Sequence, residues 1–132
     1  MRFYAMSNSY LSSIQQGIQA FHCLGEMVLN SAGDENNLIY NWLKDHKTVI
    51  CLNGGNNAKL HATYEFLIQV GNPGYPIAKF YEDEDSMGGM LTCIGIVVPE
   101  KVYTANLDEP DGSLTPWEFE LATVIRRMPT AR

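Results

Sequence analysis

The chain has 132 residues, of which 45 % are hydrophobic and 18 % are charged, a balance typical of one compact domain and unlike that of disordered chains. The formal net charge of −6 weighs against strong binding to nucleic-acid backbones, because such binding depends on Lys and Arg that neutralise phosphates. The three widely spaced cysteines form neither a disulfide framework nor a zinc-ligand pattern, so we expect them to be reduced. No apolar run indicates a membrane span and no signal sequence indicates export, so we expect the chain in the cytoplasm.

The N-terminal half predicts alternating strands and helices. Residues 2–7 predict a strand, and Ser12 or Ser13 caps a helix that runs to about Leu29. Apolar residues recur at helical spacing along this helix, so we expect one buried face formed by Ile14, Ile18, Phe21 and Val28. After a break at residues 31–34, a short helix carries an apolar patch, and residues 48–52 predict a strand covered on both faces.

The C-terminal half adds two helices and two strands. Residues 53–57 (NGGNN) predict a loop that caps a helix from about Ala58 to Val70, and residues 77–81 and 91–98 predict strands. An acidic loop over residues 105–113 is followed by a capping box at Thr115 and Glu118, which predicts a helix to about Met128. This order predicts an α/β fold, a layered sheet with helices packed on it and one antiparallel edge.

A polar stripe runs along the first helix. Gln15, Gln19, His22 and Glu26 are spaced i, i+4, i+7 and i+11, so they lie on one side of the helix, beside its apolar face. Two interpretations remain open. The stripe is either one wall of a functional site or an ordinary solvated edge with mutual hydrogen bonds.

Residues 11–23 (LSSIQQGIQAFHC) resemble the signature L-S-x-G-K-x-x-x-Q-x-x-H of the type II peptidyl-tRNA hydrolases. Leu11, Ser12, Gln19 and His22 fall in register with it. Residues 37–52 match the family's tryptophan-containing helix and the strand after it, and residues 92–99 (TCIGIVVP) match its closing strand. The resemblance covers about residues 3–102.

This resemblance implies hydrolysis of the ester between a peptide, or another N-blocked amino acid, and the 3′ end of tRNA. It also implies a mixed four-stranded sheet flanked by helices in three layers, a homodimer, and no metal or organic cofactor. The whole chain would be one domain, with a hydrolase-like core over residues 1–104 and the acidic loop and last helix over residues 105–132.

The resemblance further implies a set of site residues. His22, Gln19 and an acidic residue at the end of the third strand, Glu82 or Asp83, would activate or place water, while Ser12, Gln15 and Thr92 would bind substrate. The structural alternatives are a histidine packed at the sheet edge, a solvated acidic loop over residues 82–85, and a threonine present only as a strand former.

Two departures concern the same motif. The family's motif lysine falls on Gln15 and its preceding glycine falls on Ile14, so the positive charge that would bind phosphate or a developing oxyanion is absent. Three functions therefore remain open: an active hydrolase, a non-catalytic homodimeric binding module, or a structural subunit. The binding module, by analogy of fold alone, would suit an accessory protein of a phage or mobile element. The structural subunit would use the apolar side of the last helix: Trp117, Phe119, Leu121, Val124 and Ile125.

Overall fold

In a computed structural model, which describes residues 1–82 and 89–131, four strands form one mixed sheet. The strands are β1 (Arg2–Asn8), β2 (Val49–Gly55), β3 (Ile77–Tyr81) and β4 (Leu91–Val98), in the spatial order β2-β1-β4-β3. β1 and β2 are parallel, and β4 runs antiparallel to both of its neighbours. β1, β2 and β3 therefore all end, and β4 begins, at one edge of the sheet, here named the carboxyl edge.

The helices match most of the predicted ones. They are α1 (Ser13–Asn30), α2 (Leu38–Asn41) with a π-helical turn at Trp42–His46, α3 (Asn57–Leu67), α4 (Glu100–Tyr103) and α5 (Pro116–Arg127). Asn53, Gly54 and Gly55, predicted as a loop, belong to β2, and Asn56 caps α3. The short α4 was not predicted. None of the described helices is long and apolar enough to cross a membrane.

Helices cover both faces of the sheet, which confirms the predicted three-layer α/β/α fold. α1 and α2 cover one face, where Phe3, Cys93 and Val97 pack against them, while α3 and α5 cover the other face over Met6 and Ile96. On α5 the side chains of Trp117, Leu121 and Ile125 belong to this second core. The last helix therefore packs most of its apolar side against its own chain, and the structural-subunit interpretation stays a prediction.

The predicted burial of α1 was wrong. Ile14, Ile18 and Phe21 are 78 %, 48 % and 74 % exposed, and Val28 is only half-buried. The side that meets the sheet carries smaller and polar residues instead: Gln16, Gln19, Ala20, Cys23 and Met27. Small residues face each other here, because a Cβ atom on Gly95 of β4 would lie 3.1 Å from Cys23 Sγ. The close approach of helix and sheet selects this side over the more apolar one.

The prediction that residues 48–52 are covered on both faces was also wrong. β2 is an edge strand, and α1 packs over β1, β3 and β4. Val49 is 44 % exposed, and Cys51 is only half-buried on the same face. The outer edge of β2 is bonded by the C-terminal segment, in which Asn53 N donates to Pro129 O at 2.8 Å and Ala131 N donates to Cys51 O at 2.9 Å.

Candidate functional site

The carboxyl edge has the topology at which ligands bind in α/β sheets. The chain leaves β1 toward α1 on one face and leaves the neighbouring β2 toward α3 on the other face. Such a divergence opens a crevice outside the strand ends, and the N-termini of both helices are directed toward it. The half-exposed Glu82 follows directly after β3 at the same edge.

Both irregularities of strand pairing in the part of the chain that the structure describes lie at this edge. One separates Ser7 from Asn8 in the β1–β2 pair, and the other separates Phe80 from Tyr81 in the β3–β4 pair. At the second, Phe80 pairs with Cys93 and Tyr81 with Leu91, so Thr92 is the extra residue. Bulges redirect side chains and occur often next to functional sites. Here the bulge directs Thr92 toward α1.

Buried polar side chains are concentrated at the same place. Most of those in the described part of the chain lie at the carboxyl edge or on the first half of α1: Ser7, Asn8, Gln16, Gln19 and Thr92. Ser7 Oγ and Gln16 Oε1 are buried and have no hydrogen-bond partner within residues 1–82 and 89–131. Burying polar groups costs free energy, so such a concentration is typical of a site rather than of a structural core.

A hydrogen-bonded trio joins α1, β3 and β4 at the centre of this region. Gln19 Nε2 donates to Glu82 Oε2 at 2.7 Å, and Thr92 Oγ1 donates to Gln19 Oε1 at 2.8 Å. Gln19 is 3 % exposed and Thr92 is fully buried, whereas Glu82 remains half-exposed. The buried pair therefore holds a carboxylate that solvent or a ligand can reach.

The orientation of the Gln19 amide follows from its two partners. A carboxylate only accepts hydrogen bonds, so the NH₂ group must face Glu82 and the oxygen must face the Thr92 hydroxyl. Thr92 Oγ1 also lies 3.1 Å from Phe80 O, so its single proton is shared between two acceptors. Thr92 thus acts as a positioning residue for Gln19, and Gln19 as one for Glu82.

His22 lies one turn further along α1, at the rim of the site. It is exposed, and its ring stacks on Phe80 with centroids 4.7 Å apart and an interplanar angle of 15°. Phe80 precedes Glu82 by two residues, so the imidazole stacks on the segment of β3 that leads to this carboxylate. Phe80 also lines a cleft of about 400 Å³ along β3, together with Glu26, Asn30 and Tyr64.

Ser12 and Gln15 form the capping box of α1. Gln15 N donates to Ser12 Oγ at 3.3 Å, and Ser12 N donates to Gln15 Oε1 at 2.9 Å. Both residues are exposed, and their binding to substrate stays a prediction. Asp83, the other candidate carboxylate, lies outside the described residues.

Sequence reasoning missed three members of this region, Ser7, Asn8 and Gln16. Asn8 Nδ2 donates to Leu91 O at 3.1 Å, and its Oδ1 accepts from Tyr10 N at 3.0 Å, so it ties the end of β1 to the start of β4. Its position between two serines looked like an ordinary turn. Gln16 carried no signal either, since it lies on the side of α1 opposite the apolar stripe and would be expected in solvent, whereas it is buried.

Within the described ranges, no cluster of three or more His, Cys, Asp or Glu side chains could hold a metal ion. The arrangement can instead position a water molecule or a polar ligand next to a fixed carboxylate. No protein-family model matches the chain, and no curated protein matches it either.

Proposed function

We propose that this chain is a type II peptidyl-tRNA hydrolase-like esterase that cleaves the ester between an N-blocked amino acid or peptide and the 3′ end of tRNA. The observation that carries the proposal is the half-exposed Glu82 carboxylate, held by the buried Gln19 amide at the carboxyl edge. The matching order of sequence blocks supports the family, and the mixed sheet is compatible with it.

In this mechanism Glu82 is the general base. Its carboxylate accepts a proton from a water molecule, the hydroxide attacks the ester carbonyl, and the proton passes to the departing 3′ oxygen when the tetrahedral intermediate collapses. Gln19 Nε2 donates to one carboxylate oxygen at 2.7 Å and so fixes the orientation of the Glu82 side chain toward the attacking water. His22, at the rim, would stack with or hydrogen-bond the terminal adenosine or the acyl group.

The weak point of the site is the stabilisation of the oxyanion. Gln15 stands where the family has a lysine, and its side-chain oxygen is occupied by the backbone of Ser12. Loss of one such stabilising group typically lowers kcat by about 10²–10³. We therefore expect slow turnover. The same observation supports the second candidate, a binding module that retains the pocket without catalysis.

The test is cleavage of N-blocked aminoacyl-tRNA by the parent chain and by Glu82→Gln and Gln19→Leu variants. Each substitution should lower kcat by at least about 10², while the exposed Glu65→Gln control on α3 should retain parental activity. An Asp83→Asn variant separates the two candidate carboxylates. Full activity of Glu82→Gln together with loss in Asp83→Asn would transfer the role of base to Asp83.

The Gln15→Lys and His22→Ala variants test the remaining roles. If the parent is inactive and the Gln15→Lys variant is active, the scaffold is intact and lacks only the positive charge of the family's lysine. The parent chain would then be the non-catalytic binding module. Cleavage by the parent that is lost in His22→Ala would give His22 a direct role. If neither the parent nor either variant cleaves the ester, the hydrolase proposal is refuted.

A further inference from the structure

The two outer edges of the sheet differ. At the outer edge of β2, the C-terminal segment of the chain bonds to the sheet, and Thr130 pairs with Leu52 in an antiparallel bridge. β3 forms the opposite outer edge, and within the described ranges it pairs with β4 alone. The chain itself therefore closes one edge, whereas its described part leaves the outer edge of β3 uncovered. We name this second edge the open edge.

The strand register shows which backbone groups of β3 face outward. Before the first residue of β3, Val97 N donates to Pro76 O at 3.2 Å, and after the last one, Glu82 N donates to Met90 O at 3.2 Å. Hydrogen-bonded pairs alternate along an antiparallel ladder, so every second residue of β3 turns its N–H and C=O groups away from β4. These residues are Ile77, Lys79 and Tyr81. None of their outward groups bonds to another residue in the ranges 1–82 and 89–131. Such a row of donors and acceptors is a template for pairing with a further strand.

The cleft of about 400 Å³ described above runs along the open edge. β3 forms its floor, Glu26 and Asn30 of α1 form one wall, and Tyr64 of α3 forms the other. Because neighbouring strands lie about 4.8 Å apart, a strand added to β3 would occupy this cleft between the two helix layers. The five residues of β3 extend about 17 Å, so the cleft suits an extended segment of similar length.

The wall of the cleft carries a carboxylate without a partner. Glu26 is half-buried, and it forms no hydrogen bond or ion pair with the part of the chain that the structure describes. Lys79 is the one cation among the described residues that line the cleft. Its Nζ lies 4.4 Å from the centre of the Tyr64 ring and 5.2 Å from that of Tyr81, so it contacts the rings rather than the carboxylate. Partial burial of an unpaired charge costs free energy, which a cation from outside would offset.

We propose that the open edge binds an extended, basic segment of another protein, which joins the sheet as a fifth strand beside β3. Main-chain hydrogen bonds to β3 supply the affinity, and a Lys or Arg side chain that reaches Glu26 supplies the preference for a basic segment. The formal net charge of −6 attracts such a partner and repels a second copy of this chain. The proposal is independent of ester hydrolysis, because it uses none of the hydrogen bonds among Gln19, Glu82 and Thr92.

The test is the fluorescence anisotropy of a labelled peptide titrated with the full chain. The probe has about seven residues, in which Lys and Val alternate, so that it can pair along the whole of β3. One control peptide carries a methyl group on every backbone nitrogen, which removes the donors and keeps the charge. A second control has Glu in place of Lys. The probe should bind, and both controls should bind at least about 10-fold more weakly.

Variants of the chain separate strand pairing from charge. Lys79→Pro removes an outward N–H of β3 but no bond of the β3–β4 ladder, and proline is tolerated on the solvent side of an edge strand. Its matched control, Lys79→Ala, loses the same charge and keeps the N–H. Lys79→Pro should bind the probe about 10-fold more weakly, whereas Lys79→Ala should bind it at least as tightly as the parent. Glu26→Gln should weaken binding about 5-fold, and Glu109→Gln, in an exposed loop outside the cleft, should not.

Amide hydrogen exchange locates the open edge without any substitution. In the free chain the amides of Ile77, Lys79 and Tyr81 should exchange at least about 10-fold faster than those of Ala78 and Phe80, and the probe should slow the three outward ones. Protection of the outward amides in the free chain would overturn the proposal, because the edge would already be covered. Absence of probe binding at about 500 µM chain would overturn it as well. So would equal binding of either control peptide, or equal binding of the probe by Lys79→Pro and Lys79→Ala.

Discussion

Glu118 is a buried carboxylate whose removal should change how the stability of the fold depends on pH. It is 1 % exposed and lies at the N-terminus of α5. Lys101 Nζ lies 3.0 Å from its Oε2, the Tyr75 hydroxyl donates to the same oxygen, and Thr115 N donates to its Oε1 at 3.0 Å. Glu118→Gln keeps the shape of the side chain and removes its charge.

The magnitude follows from the pKa of this carboxyl group. Burial by itself would raise the pKa, but hydrogen bonds from Tyr75, Thr115 and Lys101 lower it from 4.5 to about 2. A carboxyl group with a lowered pKa stabilises the fold above its unfolded pKa of 4.5, and this contribution is lost as the pH falls toward 2. At about 1.4 kcal/mol per pH unit, the contribution is about 3 kcal/mol.

Urea unfolding at pH 7, 5, 3 and 2 measures this contribution. Between pH 5 and pH 2 the parent should lose about 3 kcal/mol more unfolding free energy than Glu118→Gln, because the other carboxylates titrate equally in both proteins. Glu120→Gln, at an exposed position of the same helix, should follow the parent. If the unfolding free energy depends on pH identically in the parent and in Glu118→Gln, the argument that the buried carboxylate is charged in the folded protein is refuted.

Two further predictions concern the contact between α1 and the sheet. Gly95→Ala should lower the unfolding free energy by about 1–3 kcal/mol in urea, since its Cβ would lie 2.7 Å from Phe3 Cζ; an unchanged or higher stability would mean that the close approach is wrong. Iodoacetamide should add at most one label to the native chain, at the half-buried Cys51. Cys23 and Cys93 are fully buried and out of reach of the reagent. In addition, a hydrogen bond with Cys93, together with burial, raises the pKa of Cys23, so its thiol is not the reactive thiolate. Two or more labels by mass spectrometry before unfolding would contradict this.

Local patterns in the sequence were sufficient to place most elements. The bounds of β3 and β4 agree with prediction because runs rich in β-branched or aromatic residues are bounded by turn residues. The starts of α1 and α5 agree because Ser12 and Thr115 cap the helices with their own side chains. The short α4 has four residues, too few for a periodic signal.

Only part of the site could be predicted from the sequence. Gln19 and Glu82 were candidates from the motif, but their hydrogen bond spans 63 positions and exists only because β3 and α1 meet at one edge. Thr92 reaches Gln19 because a bulge turns it toward α1, and strict alternation along β4 gives no sign of that. Ser7 and Gln16 are buried only because other elements of the tertiary structure pack over them.

The sequence by itself determined the elements, their caps and the presence of two stripes on α1, because those properties arise from neighbours within a few residues. Only the tertiary structure decided which side of α1 faces the sheet. Periodicity ranks the sides of a helix by hydrophobicity, whereas packing selects the side whose small residues fit the opposing strand. Cys23 packs closely against Gly95, and Ala20 lies in the same core, whereas the larger Ile14 and Phe21 remain outside.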